Sequence, residues 1–206
     1  MIDIFSIDRR AAMAQIAALL GTASLPVEAF ASPAAEAKGL LTAARLATLS
    51  AIADTVIPAT DTPGAVGAAV PQQIDRMLAS WASVDTRVRV TGVIADIDAL
   101  ALKAKGRGFA ALDAGARQSL LLPYDRDSLA PDTTAVVKSS GVLGILLPPP
   151  VVNPGWLTLK GLVLSLYYIS EIGMTQEQVY EHVPGAWVPS LKITPGMRPY
   201  ASGGLF

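Results

Sequence analysis

The chain has 206 residues, 51% of them hydrophobic and 16% charged, with a formal net charge of −1, which suits one full core and excludes a basic nucleic-acid or polybasic membrane-surface protein. It has no cysteine and one histidine, His182, so disulfides, iron–sulfur clusters, covalent c-type haem, thiolate zinc and multi-histidine metal sites are excluded. The charged fraction is well below the usual quarter, which implies that part of the surface is hidden against a partner.

Residues 1–31 read as an export segment. Arg9 and Arg10 precede an apolar run from Ala11 to Leu25, followed by Pro26 and the small-residue pattern Ala29-Phe30-Ala31. This is the order of a signal peptide, and the run is too short and mild for a membrane span. The paired arginines point to the twin-arginine pathway and so to the periplasm. The segment holds two arginines and three acids (Asp3, Asp8 and Glu28), so a chain cleaved after Ala31 is formally neutral. Neutrality fits a subunit that lives in a complex.

Residues 32–41 are rich in Ala, Pro and Ser and read as a linker, leading into a helical domain over 42–183. Thr42 caps a helix to about Ile57, with Leu46, Leu49, Ala53, Val56 and Ile57 at helical spacing and Pro58 as its stop. Pro58 to Val70 is a loop. Pro71 opens a second helix whose apolar stripe is Ile74, Leu78 and Trp81. Ser83 caps a third, to about Lys105, with Val90, Ile94, Ile97 and Ala101 on one face and Gly106 as its end. Asp113 caps a short helix through Leu122, and Pro123 is expected to stop it before a polar loop over 124–132. Thr133 to Leu147 is apolar and reads as a helix ended by Pro148-Pro149-Pro150.

Asn153 and Pro154 start a helix to about Ile172 that is apolar on nearly all sides and is expected to be buried. Thr175 and Gln178 have the spacing of a capping box for a short helix near Val179 to His182. The last stretch, Pro184 to Phe206, is dense in Pro and Gly and reads as an extended, irregular tail without strands. The fold class expected is mainly α: a compact multi-helix single domain with that tail.

Catalytic signals are sparse. His182 near a helix end suits its own dipole, and Glu171 suits a salt bridge or a helix-end hydrogen bond. Lys160 is three turns from Glu171, too far for a direct pair. Asp54, Asp61 and Asp75 cluster around the 58–70 loop without the spacing of an EF-hand. Gly64 to Gly67 is not a dinucleotide fingerprint, because no strand precedes it. No catalytic, cofactor or metal residue is therefore assigned. The competing reading is a free-standing periplasmic α-helical enzyme or binding protein using Glu171 and His182.

Two blocks carry a resemblance. The first runs from Leu46 through Asp54 and Ile57-Pro58 to Thr60-Asp61-Thr62-Pro63-Gly64-Ala65, then Val70, Ile74-Asp75 and Leu78. The second runs from Leu159 to Gly173, with Tyr168-Ile169-Ser170-Glu171-Ile172-Gly173 at its end, then Tyr180, Val183-Pro184-Gly185 and Trp187. After a twin-arginine leader, this pairing resembles the small subunit of gluconate 2-dehydrogenase (subunit 3) and its relatives. Residues 109–150 carry little of the resemblance.

The resemblance implies a non-catalytic small subunit, inactive alone, in a complex that oxidises CH–OH groups of sugars, glucosides or polyols. The partner it implies is a glucose-methanol-choline-type flavoprotein holding FAD, with no cofactor in this chain. It also implies an export escort: the folded flavoprotein is carried by the twin-arginine translocase on this chain's leader, through Arg9, Arg10, Ala29 and Ala31. The electron acceptor is left open between a cytochrome c and a quinone. Interface anchors are expected in the tail, at Trp187, Met197, Tyr200 and Phe206, because aromatic and soft side chains dominate interfaces.

Overall fold

Five α-helices account for most of the described residues, which in this computed structural model are 39–132, 150–180, 190 and 192–201. They belong to one compact unit. The helices are α1 (Ala43–Val56), α2 (Val70–Ser80), α3 (Val84–Lys105), α4 (Ala114–Ser128) and α5 (Pro154–Tyr168). The only strands among the described residues are two short ones, β1 (Val179–Tyr180) and β2 (Tyr200–Ala201), paired in parallel. The mainly helical class is as expected.

Most helix boundaries follow local chemistry. Thr42, Ser83, Asp113 and Asn153 each accept a backbone N–H from the first turn, at Arg45, Thr86, Ala116 and Trp156. Gly106 ends α3 in the left-handed region, φ 68°, where glycine has no Cβ penalty. The core takes Leu49, Ile52 and Ala53 from α1, Ile74 and Leu78 from α2, Val90, Ile94, Ile97 and Ala101 from α3, and Trp156, Leu159, Val163 and Tyr167 from α5.

Six expectations need correction. Helix α4 does not stop at Pro123 but runs through it to Ser128. Pro123 removes one helical hydrogen bond, yet the turn after it is held from outside. Tyr124 packs its ring edge-on against Trp156, and Asp125 binds Trp156 and Lys160. Tertiary ties override the local stop.

Trp81 is not on the buried stripe of α2. The helix ends at Ser80, Trp81 leaves helical geometry, and its side chain is 81% exposed. Helix α5 is buried on one face only, with Leu157 and Tyr168 exposed. It also ends at Tyr168 rather than Ile172. The Ser170 hydroxyl donates to the Tyr167 carbonyl and accepts the Gly173 N–H, and a π-helical turn, Gly173–Glu177, follows.

The Thr175–Gln178 pair caps nothing: the Thr175 hydroxyl donates to the Glu171 carbonyl, and Val179–Tyr180 is a strand. The tail is not strand-free either, since Tyr200 returns to pair with Val179. The apolar segment 133–147 lies outside the described residues. Among the described residues, no helix is long and apolar enough to cross a membrane.

Candidate functional site

The 57–69 loop packs against the end of α5, and this junction unites the two blocks singled out in the sequence. The loop folds on itself: the Ala65 N–H donates to Ile57 O, and the Val70 N–H to Ala65 O. Gly64 sits so close to the backbone of Ile57 and Ala59 that a Cβ there would lie 2.5 Å from Ile57 O. The turn therefore admits only glycine. Ala69 closes the loop in the left-handed region, φ 54°.

Three side-chain contacts then tie the loop to the C-terminal part. The buried Tyr167 hydroxyl donates to Pro63 O at 2.9 Å. The Thr62 hydroxyl donates to Glu177 Oε2 at 2.6 Å. Arg198 Nη2 donates to Asp61 Oδ2 at 3.4 Å, and Arg198 Nη1 also donates to Gln176 O. The Asp61 carboxyl is held below its ordinary value chiefly by the Thr60 hydroxyl, then by its own backbone N–H, with Arg198 adding to both. The three contacts join the loop to the end of α5, the π-helical turn and the tail.

Exposed apolar side chains lie on the segments that meet at this junction. Tyr168 and Ile169 lie at the end of α5, Val179 and Tyr180 on β1, and Ile193, Met197 and Tyr200 on the tail. Met197 is 36% and Tyr200 52% exposed, and Ile193 is 86% exposed. Large apolar groups left in water each cost about 1.5–3 kcal/mol of unrealised burial, so a set on adjoining segments suits a contact surface.

A second polar centre lies between α4 and α5. Asp125 Oδ1 accepts Trp156 Nε1 at 2.6 Å and Lys160 Nζ at 2.7 Å. With Thr55, Val56, Gln118, Leu121 and Leu122, these groups line a cavity of about 180 Å³. Lys160 thus pairs with Asp125, not with Glu171.

The predicted residues fall as follows. Met197 and Tyr200 are exposed at the junction surface, and Glu171 is exposed near it. Arg9, Arg10, Ala29, Ala31, His182, Trp187 and Phe206 lie outside the described residues. The three loop acids diverge: Asp54 pairs with Arg117, Asp61 with Arg198, and Asp75 accepts the Leu41 N–H. Among the described residues, no group of three His, Cys, Asp or Glu side chains could hold a metal. Asp125, Glu177 and Arg198 were missed, because their partners lie 22 to 137 residues away and leave no local pattern. Thr62 and Pro63 lie within the Leu46–Leu78 block.

The model of the family described as gluconate 2-dehydrogenase subunit 3 matches residues 43–185, more than half of the chain. The chain belongs to that family. No curated protein and no solved structure is detectably similar to it. The match spans the first block and the second as far as Gly185, with the Tyr167–Pro63 and Thr62–Glu177 contacts of the junction. As a subunit 3 family member, the chain is of the kind that serves as a small accessory part of a dehydrogenase complex.

Proposed function

We propose that this chain is the non-catalytic small subunit of a periplasmic, FAD-dependent dehydrogenase acting on CH–OH groups of a sugar, glucoside or polyol. The flavoprotein subunit holds the FAD and does the chemistry. This chain binds it, stabilises it and supplies the twin-arginine leader that exports the pair. Arg9 and Arg10 are the export residues, with Ala29 and Ala31 marking the cleavage pattern. Electrons leave the FAD for a cytochrome c or quinone without passing through this chain.

The observation that carries this reading is the exposed apolar surface beside the junction, on a member of a dehydrogenase-subunit family. Tyr200 and Met197, with Trp187 and Phe206, are the tail's anchors for the flavoprotein. Such anchors carry most of the binding energy at interfaces.

The test is replacement of Arg9 and Arg10 together by lysine, followed by fractionation of the cells. Both this chain and the flavoprotein are expected to remain in the cytoplasm. A flavoprotein that still reaches the periplasm would refute the escort role, whatever becomes of this chain.

A further inference from the structure

We propose that the outward face of α2 ending at Trp81 is a second docking surface, and that its occupant is an acid-bearing, apolar-tipped segment of the flavoprotein subunit. This deepens the reading of the chain as a small subunit and rests on it.

Trp81 is the most exposed aromatic side chain among the described residues. It borders a shallow groove of about 410 Å³ lined by Gln73, Arg76, Met77, Ser80 and Trp81. The lining is apolar, neutral or cationic. The acid next to Arg76, Asp75, is turned inward, where it is 7% exposed and accepts the Leu41 N–H. Arg87 brings a second cation to this end by donating to Ala79 O. Val84 and Val88, on the first two turns of α3, are exposed as well, and Asp85 between them is paired with Arg89.

The complement of this surface is a carboxylate that meets Arg76 beside an apolar side chain that meets Met77 and Trp81. Trp and Arg are the residues most often found at energetic centres of interfaces, and Met adapts its shape to what it meets.

Placement sets this surface apart from the tail. Helix α2 begins beside the 57–69 loop and ends at Ser80, just before Trp81, about 16 Å along its axis. Helix α5 runs the other way, from Gly155 packed against Val93 and Arg89 to Tyr167 on Pro63. The tail surface and the Trp81 groove thus lie at opposite ends of the bundle. A large subunit that engages both makes the second contact at high effective concentration, so two modest surfaces give one tight complex.

The test is oxidative footprinting of Trp81, read by mass spectrometry on the free chain and on the purified complex. Trp81 oxidation is expected to fall at least fivefold in the complex. Arg76→Glu, an exposed change whose helical content is checked by circular dichroism, is expected to weaken the complex at least tenfold. Its effect is expected to deepen further on removal of Ser190 to Phe206. Undiminished Trp81 oxidation in the complex, or a complex of unchanged affinity with Arg76→Glu, overturns the inference alone. So does protection of Trp81 in the free chain that grows with concentration, which would seat a second copy there. A wild-type chain that co-purifies with no flavoprotein overturns the proposed function and this inference with it.

Discussion

The hydroxyl of Tyr167 donates to the carbonyl oxygen of Pro63 at 2.9 Å, joining segments 104 residues apart. The ring is buried, so the contact is shielded from water. Removing the hydroxyl leaves a carbonyl without its partner and should cost about 1–2 kcal/mol. Tyr167→Phe is therefore expected to lower the midpoint of urea unfolding measurably. The adjacent Tyr168, half-exposed, serves as the control: Tyr168→Phe should change stability by less than about 0.5 kcal/mol. Equal effects at the two positions would mean that the junction contributes nothing beyond ring packing.

Two glycines should respond to alanine with opposite signs. Gly64→Ala forces a Cβ to within 2.5 Å of Ile57 O and 2.6 Å of Ala59 N, both backbone atoms, so the loop must shift. Overpacking of this kind costs about 1–3 kcal/mol. Gly92, inside α3, has nothing within 4 Å of its would-be Cβ. Gly92→Ala should stabilise by about 0.5–1 kcal/mol through restricted unfolded-state freedom. Thermal melts of the two variants are expected to move in opposite directions.

Asp125 serves two donors, so its replacement should cost more than that of either one. Asp125→Ala strands the Trp156 indole N–H, whose ring is fully buried, and frees the Lys160 ammonium. The expected loss is about 2–3 kcal/mol. Lys160→Met keeps the Trp156 bond and removes an ion pair whose side chains are each 28% exposed, so about 1 kcal/mol or less is expected. Denaturant titration distinguishes the two, and a larger loss for Lys160→Met would contradict this account.

The tail should act on the complex rather than on the helices. Its described contacts to the rest of the chain are the β1–β2 pair and the bonds of Arg198, all outside the helical core. Deleting Ser190 to Phe206 is expected to leave far-ultraviolet circular dichroism per helical residue unchanged while weakening retention of the flavoprotein. If binding is undiminished, the helices hold the partner and the tail does not.

Stability at high pH should depend on Tyr124. Burial pushes its phenol above the ordinary value of 10.0, with Asp96 adding to the shift and bonds from Ser128 and Asn153 opposing it. The folded chain then holds this proton more tightly than the unfolded chain. The resulting contribution is fully present below pH 10 and is lost as pH rises through the folded value. Tyr124→Phe should flatten that alkaline decline, measured as the urea midpoint against pH. Exposed Asp61 and Asp113 have lowered values, so their smaller contribution is present above pH 3.8 and fades as pH falls further.

The sequence by itself determined the helical class, the caps at Thr42, Ser83, Asp113 and Asn153, and the buried face of α3. Each of these depends on residues within a turn or two of one another, where spacing and capping chemistry act alone. It also marked both blocks that meet at the junction. What it could not determine was decided by contacts across the fold. Pro123 sits inside a helix because Trp156 and Lys160 hold the turn after it. Trp81 faces water because the chain leaves α2 one residue before the stripe would have buried it. Tyr167 reaches Pro63 and Arg198 reaches Asp61 because α5 and the tail return to the loop, a closure no local pattern encodes. Periodicity reports which face of an element is apolar; only packing decides which neighbour covers that face and which part of it is left for a partner.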